Sequence, residues 1–383
     1  MTKAVRYVVF SGANERAIIA ICRSFWERSV ACSIVARPGA DLLKLTRFSI
    51  WIDVVRTIDR LDLNDMLSAV ALLRDRFPGE RLVFLPTSES IIRMLLEQRN
   101  QFEEAGLEIP LVSKSTYQQI SDKHNFLSLA NTFGVPLPPV VDIPTAGNLP
   151  LVAKPRCELQ TGSGRKLYPE LLFSLADLQR FEANWPREEY FFQRYLDGKS
   201  YYYLVYLPRE GDPLVRYQRN LLQQPNGKSI IAAQLCSCPD EKTRDALINA
   251  LRSVGFFGFV MIEVMELNGV FYLIEANPRL WGPFELALKA GFLPDFITGE
   301  GSEGDCKLGA RYFWSGGLLG TWADSAVPRS YLKGKPGVLE AISFFVADIY
   351  LRADTHRLLM YEWWRALRKL FLRRFFHGVS RSH

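Results

Sequence analysis

Glu263 is followed twelve residues later by Glu275-Ala276-Asn277-Pro278-Arg279, and these residue types at this spacing could hold a divalent cation beside a phosphate. Two carboxylates and an amide supply the hard oxygen donors that Mg²⁺ takes, and Mn²⁺ accepts the same set. A guanidinium two residues further on can clamp a carboxylate or phosphoryl group through two parallel hydrogen bonds. Glu263 also interrupts an apolar run, with Phe259-Val260-Met261-Ile262 before it and Val264-Met265 after it. An acid in such a run needs a partner to offset its desolvation, and a metal or an arginine would serve.

The elements that must position these acids are two strands. Residues 257–265 and 270–276 are rich in β-branched and aromatic side chains and are separated by Leu267-Asn268-Gly269, the pattern of a tight antiparallel hairpin. Register then decides the chemistry. A plain two-residue Asn-Gly loop makes the pairing sum odd and sends Glu263 and Glu275 to opposite faces of the sheet. A three- or five-residue loop with Gly269 left-handed in a bulge makes the sum even and puts both acids on one face. The sequence therefore predicts the bulged turn.

At 383 residues and 48% hydrophobic content the chain can bury more than one core. No apolar run reaches the length of a membrane span, and Met1-Thr2-Lys3 leads straight into a strand-like stretch at 5–10, so a cytoplasmic protein is expected. Six cysteines are scattered, with only Cys236-Ser237-Cys238 closely spaced, which predicts reduced thiols and no zinc site. Four histidines, three of them after residue 350, leave little material for a histidine-based triad. From Arg352 onward eight Lys/Arg stand against two Asp/Glu, which is the whole of the formal +6, so the body is neutral and no nucleic-acid partner is expected. In that tail, residues 361–376 read as a helix in which aromatic and aliphatic side chains interleave with cations. Such a helix either packs on the body, touches a partner protein, or lies on an anionic membrane as a peripheral anchor.

The first ~110 residues alternate strand-like stretches at 5–10, 30–37, 52–55 and 82–86 with helix-like ones at 14–27, 64–76 and 88–100, as α/β units do. The turn Ser11-Gly12-Ala13-Asn14 carries one glycine, so the dinucleotide fingerprint is absent. A helix over 121–133 follows, capped by Ser121 or Asp122, and then a short strand 151–155 containing Lys154. Thr161-Gly162-Ser163-Gly164-Arg165-Lys166 is a flexible loop whose amides could wrap a polyphosphate. The Gly-Lys-Ser triplets at 198–200 and 227–229 are not phosphate-binding P-loops, because Gln193 and Leu222 stand where the leading glycine belongs. From 190 onward strands dominate, interrupted by a helix over 240–254, which predicts an α+β unit with an antiparallel sheet.

In their order, these pieces resemble the ATP-grasp superfamily over roughly residues 121–292, with the N-terminal stretch resembling the Rossmann-like domain that precedes it in those enzymes. The resemblance implies an α/β and α+β chain. Its parts are a Rossmann-like domain at 1–110, an ATP-grasp domain at 111–310 with subdomains near 120–198 and 199–310, and a C-terminal extension at 311–383 ending in the basic aromatic helix. It implies ATP and Mg²⁺ as cofactors. Lys123 and Lys154 match the two phosphate lysines, Gly162, Ser163 and Gly164 the loop over the phosphates, and Gln193-Arg194-Tyr195-Leu196-Asp197-Gly198 the hinge whose backbone meets adenine. Gln193 stands where the family usually has an acid, and Ser200 where many members have the acid that binds the ribose hydroxyls. Both can still hydrogen-bond a nucleotide. Glu263, Glu275 and Asn277 match the metal ligands, and Arg279 the arginine that faces phosphate or substrate.

The implied activity is phosphorylation of a carboxylate to an acylphosphate and its capture by an amine, releasing ADP. Arg279 would hold the acceptor, with Arg219 a second catalytic candidate. A small-molecule carboxylate and amine are the implied partners, and a homodimer is compatible with this. The alternatives are carboxylation or carbamoylation through carboxyphosphate, and a nucleotide-binding sensor or scaffold without turnover. Trp281-Gly282-Pro283-Phe284 either shapes an acceptor pocket or belongs to the core.

Overall fold

The computed structural model describes residues 4–156, 167–293, 304–332 and 337–379. The first part alternates strands and helices: β1 (Val5–Phe10), α1 (Glu15–Glu27), β2 (Cys32–Ala36), β3 (Ile52–Val55), α2 (Leu63–Arg76), β4 (Arg81–Phe84), α3 (Glu89–Glu97), α4 (Arg99–Glu104) and β5 (Leu107–Glu108). Its strands pair in parallel in the order β3-β2-β1-β4-β5. A parallel sheet has helices on both faces, so its strands are apolar throughout instead of alternating. β1 shows this: Val8 and Phe10 enter one core, Tyr7 and Val9 the other.

Next come α5 (Lys114–Ser121), α6 (Lys123–Thr132), β6 (Val140–Val141), β7 (Leu151–Pro155), β8 (Glu170–Leu172), α7 (Leu175–Asn184) and β9 (Tyr190–Arg194). The four strands form an antiparallel sheet in the order β6-β9-β7-β8, and α7 buries Leu178 and Phe181 against it. The helix expected over 121–133 is α6, and the separate helix α5 precedes it. Asp122 is extended at ψ 121 and caps α6 by accepting from the Asn125 amide at 2.9 Å, which sets Lys123 at the first position of that helix.

The largest sheet is built from β10 (Lys199–Leu207), β11 (Leu214–Gln223), β12 (Ile230–Cys236), then, after α8 (Glu241–Ser253), β13 (Gly258–Leu267) and β14 (Val270–Asn277). It is completed, after α9 (Phe284–Lys289), by β15 (Arg311–Phe313) and, after α10 (Ser315–Ala323), by β16 (Arg329–Ser330). All its pairings are antiparallel, in the order β14-β13-β10-β11-β12-β15 with β16 also on β11. The segment after 310 thus contributes two strands to this sheet before α11 (Val338–Val346) and α12 (His356–Val379) close the chain.

The hairpin differs from the expected bulged turn. Leu267 pairs with Val270 across a plain two-residue loop, Asn268 at φ 54 and Gly269 at φ 79, because this doubly left-handed turn matches the twist of the flanking strands. The bulge lies inside β14 instead. Val264 pairs with Leu273 but Glu263 with Glu275, so Ile274 is the extra residue and the pairing sum turns from odd to even there. Both acids come to one face, as expected, by a different device.

Candidate active site

The row across the large sheet that contains Glu275 runs through Glu263 and Tyr202 to Gln218. Glu263 is 6% exposed, and its Oε1 accepts a 2.9 Å hydrogen bond from the Ser200 hydroxyl. Ser200 in turn accepts from Asn220 Nδ2 at 2.7 Å, and Asn220 Oδ1 from Gln218 Nε2 at 2.7 Å. This buried chain of side chains fixes the orientation of Glu263 while leaving its second oxygen uncommitted to that network. Burial, then the neighbouring Glu275, pushes the Glu263 carboxyl well above the ordinary carboxylate range.

Glu275 is held the other way. Burial opposes its charge, but Lys123 Nζ lies 2.9 Å from Oε2 and Asn277 Nδ2 donates to Oε1 at 2.9 Å, and together they carry its pKa below the usual range. Against the cost of burial, Glu275, with Glu89 and Glu263 as lesser contributors, keeps Lys123 above the ordinary lysine value. Two adjacent carboxylates with pKa values driven apart cannot both be charged at little cost without a further cation. Among the described residues no set of three or more His, Cys, Asp or Glu gathers to cage a metal, so an ion here would take its remaining ligands from phosphate and water, as Mg²⁺ does.

Lys154 comes from the small sheet. It is 6% exposed, and its Nζ donates to the Ile274 carbonyl at 3.1 Å. The bulge therefore has a second consequence: the extra residue drops out of the ladder, and its carbonyl holds the lysine. Burial, then the charge of Lys123, lowers Lys154 to about 8. Arg279 completes the line, with Nη2 donating to Asn277 Oδ1 at 3.1 Å and Nη1 to the Leu280 carbonyl at 3.2 Å. The first sheet steadies this turn. Leu280 N donates to the Pro86 carbonyl at 2.8 Å, and the Asn14 side chain bridges the Thr87 and Leu280 carbonyls.

The acids and lysines line a narrow cleft of about 90 Å³, smaller than the roughly 300–1,000 Å³ of most small-molecule sites. A wider groove by Arg81, Arg99 and Arg209 lies apart from them. Its arginines are engaged, Arg81 by Glu108, Arg99 by Glu103 and backbone carbonyls, and Arg209 over the Phe257 ring.

No family model and no curated protein matches the sequence. Solved structures do match in fold. The biotin carboxylase domain of Hydrogenobacter thermophilus 2-oxoglutarate carboxylase, in complex with MgADP, ADP and bicarbonate, aligns at TM-score 0.58 and 15% identity over 81% of this chain and 74% of that one. Biotin carboxylase from Campylobacter jejuni, in a β-γ-ATP complex, aligns at 0.56 and 17% over 80% and 74%. N5-carboxyaminoimidazole ribonucleotide synthetase from Thermus thermophilus aligns at 0.55 and 12% over 80% and 81%. The chain has the ATP-grasp fold.

The residues expected to form the hinge lie beside the acids. Gln193, Arg194, Tyr195 and Leu196 all line the cleft. Gln193 is 2% exposed, its Nε2 donates to the Pro138 carbonyl at 3.4 Å, and its Oε1 has no partner among the described residues. An orphaned buried acceptor costs stability unless a ligand donor completes it. Gly198 has a steric reason to be glycine: a Cβ there would sit 2.2 Å from the Glu266 carbonyl oxygen. Ser200, expected at the ribose, is fully buried with its hydroxyl committed to Glu263. Gly162, Ser163 and Gly164 lie outside the described residues. Trp281 is core, 1% exposed and 5.2 Å from the Phe284 ring.

Arg219 is not brought to the acids. It pairs with Tyr201, one position off the Tyr202–Glu263 row, so it faces the opposite side of the sheet with Val264 and Tyr203. The spacing could not show this before the register was known. Arg329 was missed in turn. From the two-residue β16 it reaches the Leu196 carbonyl at 2.8 Å, lies over the rings of Tyr195 and Tyr331 at 4.7 Å each, and lines the cleft. A lone arginine far along the chain carries no local signal of such a position.

Proposed function

We propose that this chain is an ADP-forming, ATP-dependent carboxylate-amine ligase. The observation that carries the reading is Glu275 directly opposite Glu263, with Lys123 and Lys154 against them from two other elements. The site fits its cofactors: the donor set suits Mg²⁺ or Mn²⁺, and the orphaned Gln193 Oε1 suits the amino group of adenine. Glu263, Glu275 and Asn277 are the residues that would hold the ion. When bound, it would offset the negative charge of the carboxylates and of the ATP phosphates while the γ-phosphoryl group passes to the substrate carboxylate.

The chain's own residues do the rest by placement and charge. Lys123 and Lys154 supply positive charge for the γ-phosphoryl group. A substrate carboxylate oxygen attacks the γ-phosphorus, the bridging bond to the β-phosphate breaks, and ADP leaves. The amine then attacks the acyl carbon, phosphate departs with the carbon–oxygen bonding pair, and the amine proton passes to solvent. Arg279, tethered by Asn277 and the Leu280 carbonyl, is assigned the carboxylate and the tetrahedral intermediate. Arg329 is assigned to the nucleotide, donating to the ribose in place of Ser200.

ADP release in the presence of carboxylate and amine pools tests the reading, with hydroxylamine as an alternative nucleophile. The expected result is ADP release that requires a carboxylate, together with a hydroxamate formed from it. Nucleotide binding with no turnover in any pool would instead support a sensor. A second reading takes bicarbonate as the carboxylate, and the bicarbonate in the Hydrogenobacter structure favours it. ADP release dependent on bicarbonate and an amine alone would select that reading.

A further inference from the structure

We infer that the C-terminal helices α10, α11 and α12 form a docking face for an anionic lipid bilayer. α12 is apolar on two sides. Leu358, Leu359, Glu362 and Ala366 are buried against the body, where Glu362 accepts from Trp314 Nε1 at 3.0 Å. On another side Met360, Trp364, Leu367 and Phe371 recur at spacings of four, three and four, which is one stripe of a helix, and all are exposed. Trp364 and Phe371 leave 56% and 66% of their surface in solvent. This is not a lone stripe. α11 exposes Val338, Leu339, Ile342, Phe345 and Val346, with Leu339 at 84%, and α10 exposes Trp322. The helices belong together: Trp363 of α12 contacts the Phe345 ring, and Lys369 and Arg373 of α12 reach Asp324 and Ser325 at the end of α10. Large apolar side chains so concentrated mark an interaction surface.

Charge names the occupant. Arg357, Arg365 and Arg368 are exposed and make no ion pair among the described residues, while of the acids nearby Asp324 pairs with Lys369, Asp354 pairs with Arg23 and Glu362 is buried, which leaves Glu340 of α11 to offset one of these charges. The chain from Arg352 onward carries the entire formal +6. A second copy would bring the same cations against these, at a cost, whereas anionic headgroups complement them and the acyl boundary takes up the apolar stripe. No described helix is long and apolar enough to cross a membrane, so the mode is adsorption in the interface.

Flotation of the full chain with vesicles tests this. The chain is expected to float with phosphatidylcholine–phosphatidylglycerol vesicles and much less with phosphatidylcholine alone, and to be released by high salt. Joint replacement Trp364→Ser, Leu367→Ser and Phe371→Ser should lower partitioning about tenfold for each side chain. Arg357→Glu with Arg365→Glu and Arg368→Glu should abolish the preference for the anionic vesicles. Hydrogen exchange of the wild-type chain, which needs no variant, should slow over α12 when the anionic vesicles are added. Absence of flotation, unchanged flotation in the apolar variant, or unchanged exchange overturns the proposal. So does a concentration-dependent dimer that the same substitutions dissolve, which would assign the face to a second copy.

Discussion

The two faces of the large sheet are built from neighbouring residues of the same strands and do opposite things. On one, the row Gln218–Tyr202–Glu263–Glu275 joins Ser200 and Asn220 in a buried polar chain that ends at two carboxylates. On the other, Tyr203, Val264, Leu273 and Ala276 form a core with Tyr117, Phe126 and Leu127 of α5 and α6 and Leu247 and Leu251 of α8. Parity along a strand, set by single residues, decides which side chains join the acids, although that face also packs Leu204, Phe259 and Met261 into a second core. Ile274 is such a residue. Without its bulge Glu275 would stand opposite Ile262 and face the helices.

Substitutions on the two faces should therefore diverge. The largest effect is expected from Lys154→Met, which removes a cation proposed to face the phosphates and should cut ADP formation about a hundredfold or more. Because Lys154 is lowered to about 8, nucleotide binding should draw in a proton above that pH, so affinity should fall up to about tenfold per pH unit there. Titration calorimetry in buffers of different ionisation heat checks this, and Lys154→Met should erase the proton uptake. On the site face of the large sheet, Glu263→Gln should also cut turnover yet stabilise the metal-free protein. The sign follows from linkage. The folded pKa of Glu263 is raised, so its contribution is fully present below the unfolded value and is lost as pH rises through the folded one. Thermal melts should show the variant gaining on wild type at alkaline pH and the gain vanishing in acid.

A smaller effect belongs to the turn. Gly269→Ala places a Cβ at φ 79 with nothing within 4 Å, so only backbone strain counts, and chemical denaturation should show a loss of about 1–2 kcal/mol with turnover kept. The smallest belongs to the helix face: Arg219→Ala should leave ADP formation within about twofold, since an interaction away from the reacting groups does not alter the chemical barrier.

How much of this was legible in the sequence follows from how local each cause is. β1 at Val5–Phe10, β3 at Ile52–Val55 and β7 at Leu151–Pro155 appear at the expected residues, because a short apolar run bounded by turn residues is a local signal. The expected helix at 88–100 breaks into α3 and α4 at Gln98, a residue with no breaker character, and α5 went unseen because much of Lys114–Ser121 is polar. The acids, lysines and hinge were legible as an ordered set of residue types. The Ile274 bulge, the side of the sheet taken by Arg219 and the return of Arg329 to the hinge were not, since each depends on pairing between segments far apart in the chain. α10 also depends on a contact far along the chain: Gly316 and Gly317 let the helix approach Glu362 and Trp314, where any Cβ would collide.

We propose that Glu263 and Glu275, brought to one face by Ile274, form the metal side of an ATP site. Binding of Mn²⁺ with ATP, followed by the electron paramagnetic resonance of the ion, tests it most directly. Wild type should show a bound Mn·ATP signal, and Glu275→Gln, with an unchanged circular dichroism spectrum, should lose it. An equal bound signal in the folded Glu275→Gln variant would contradict the account.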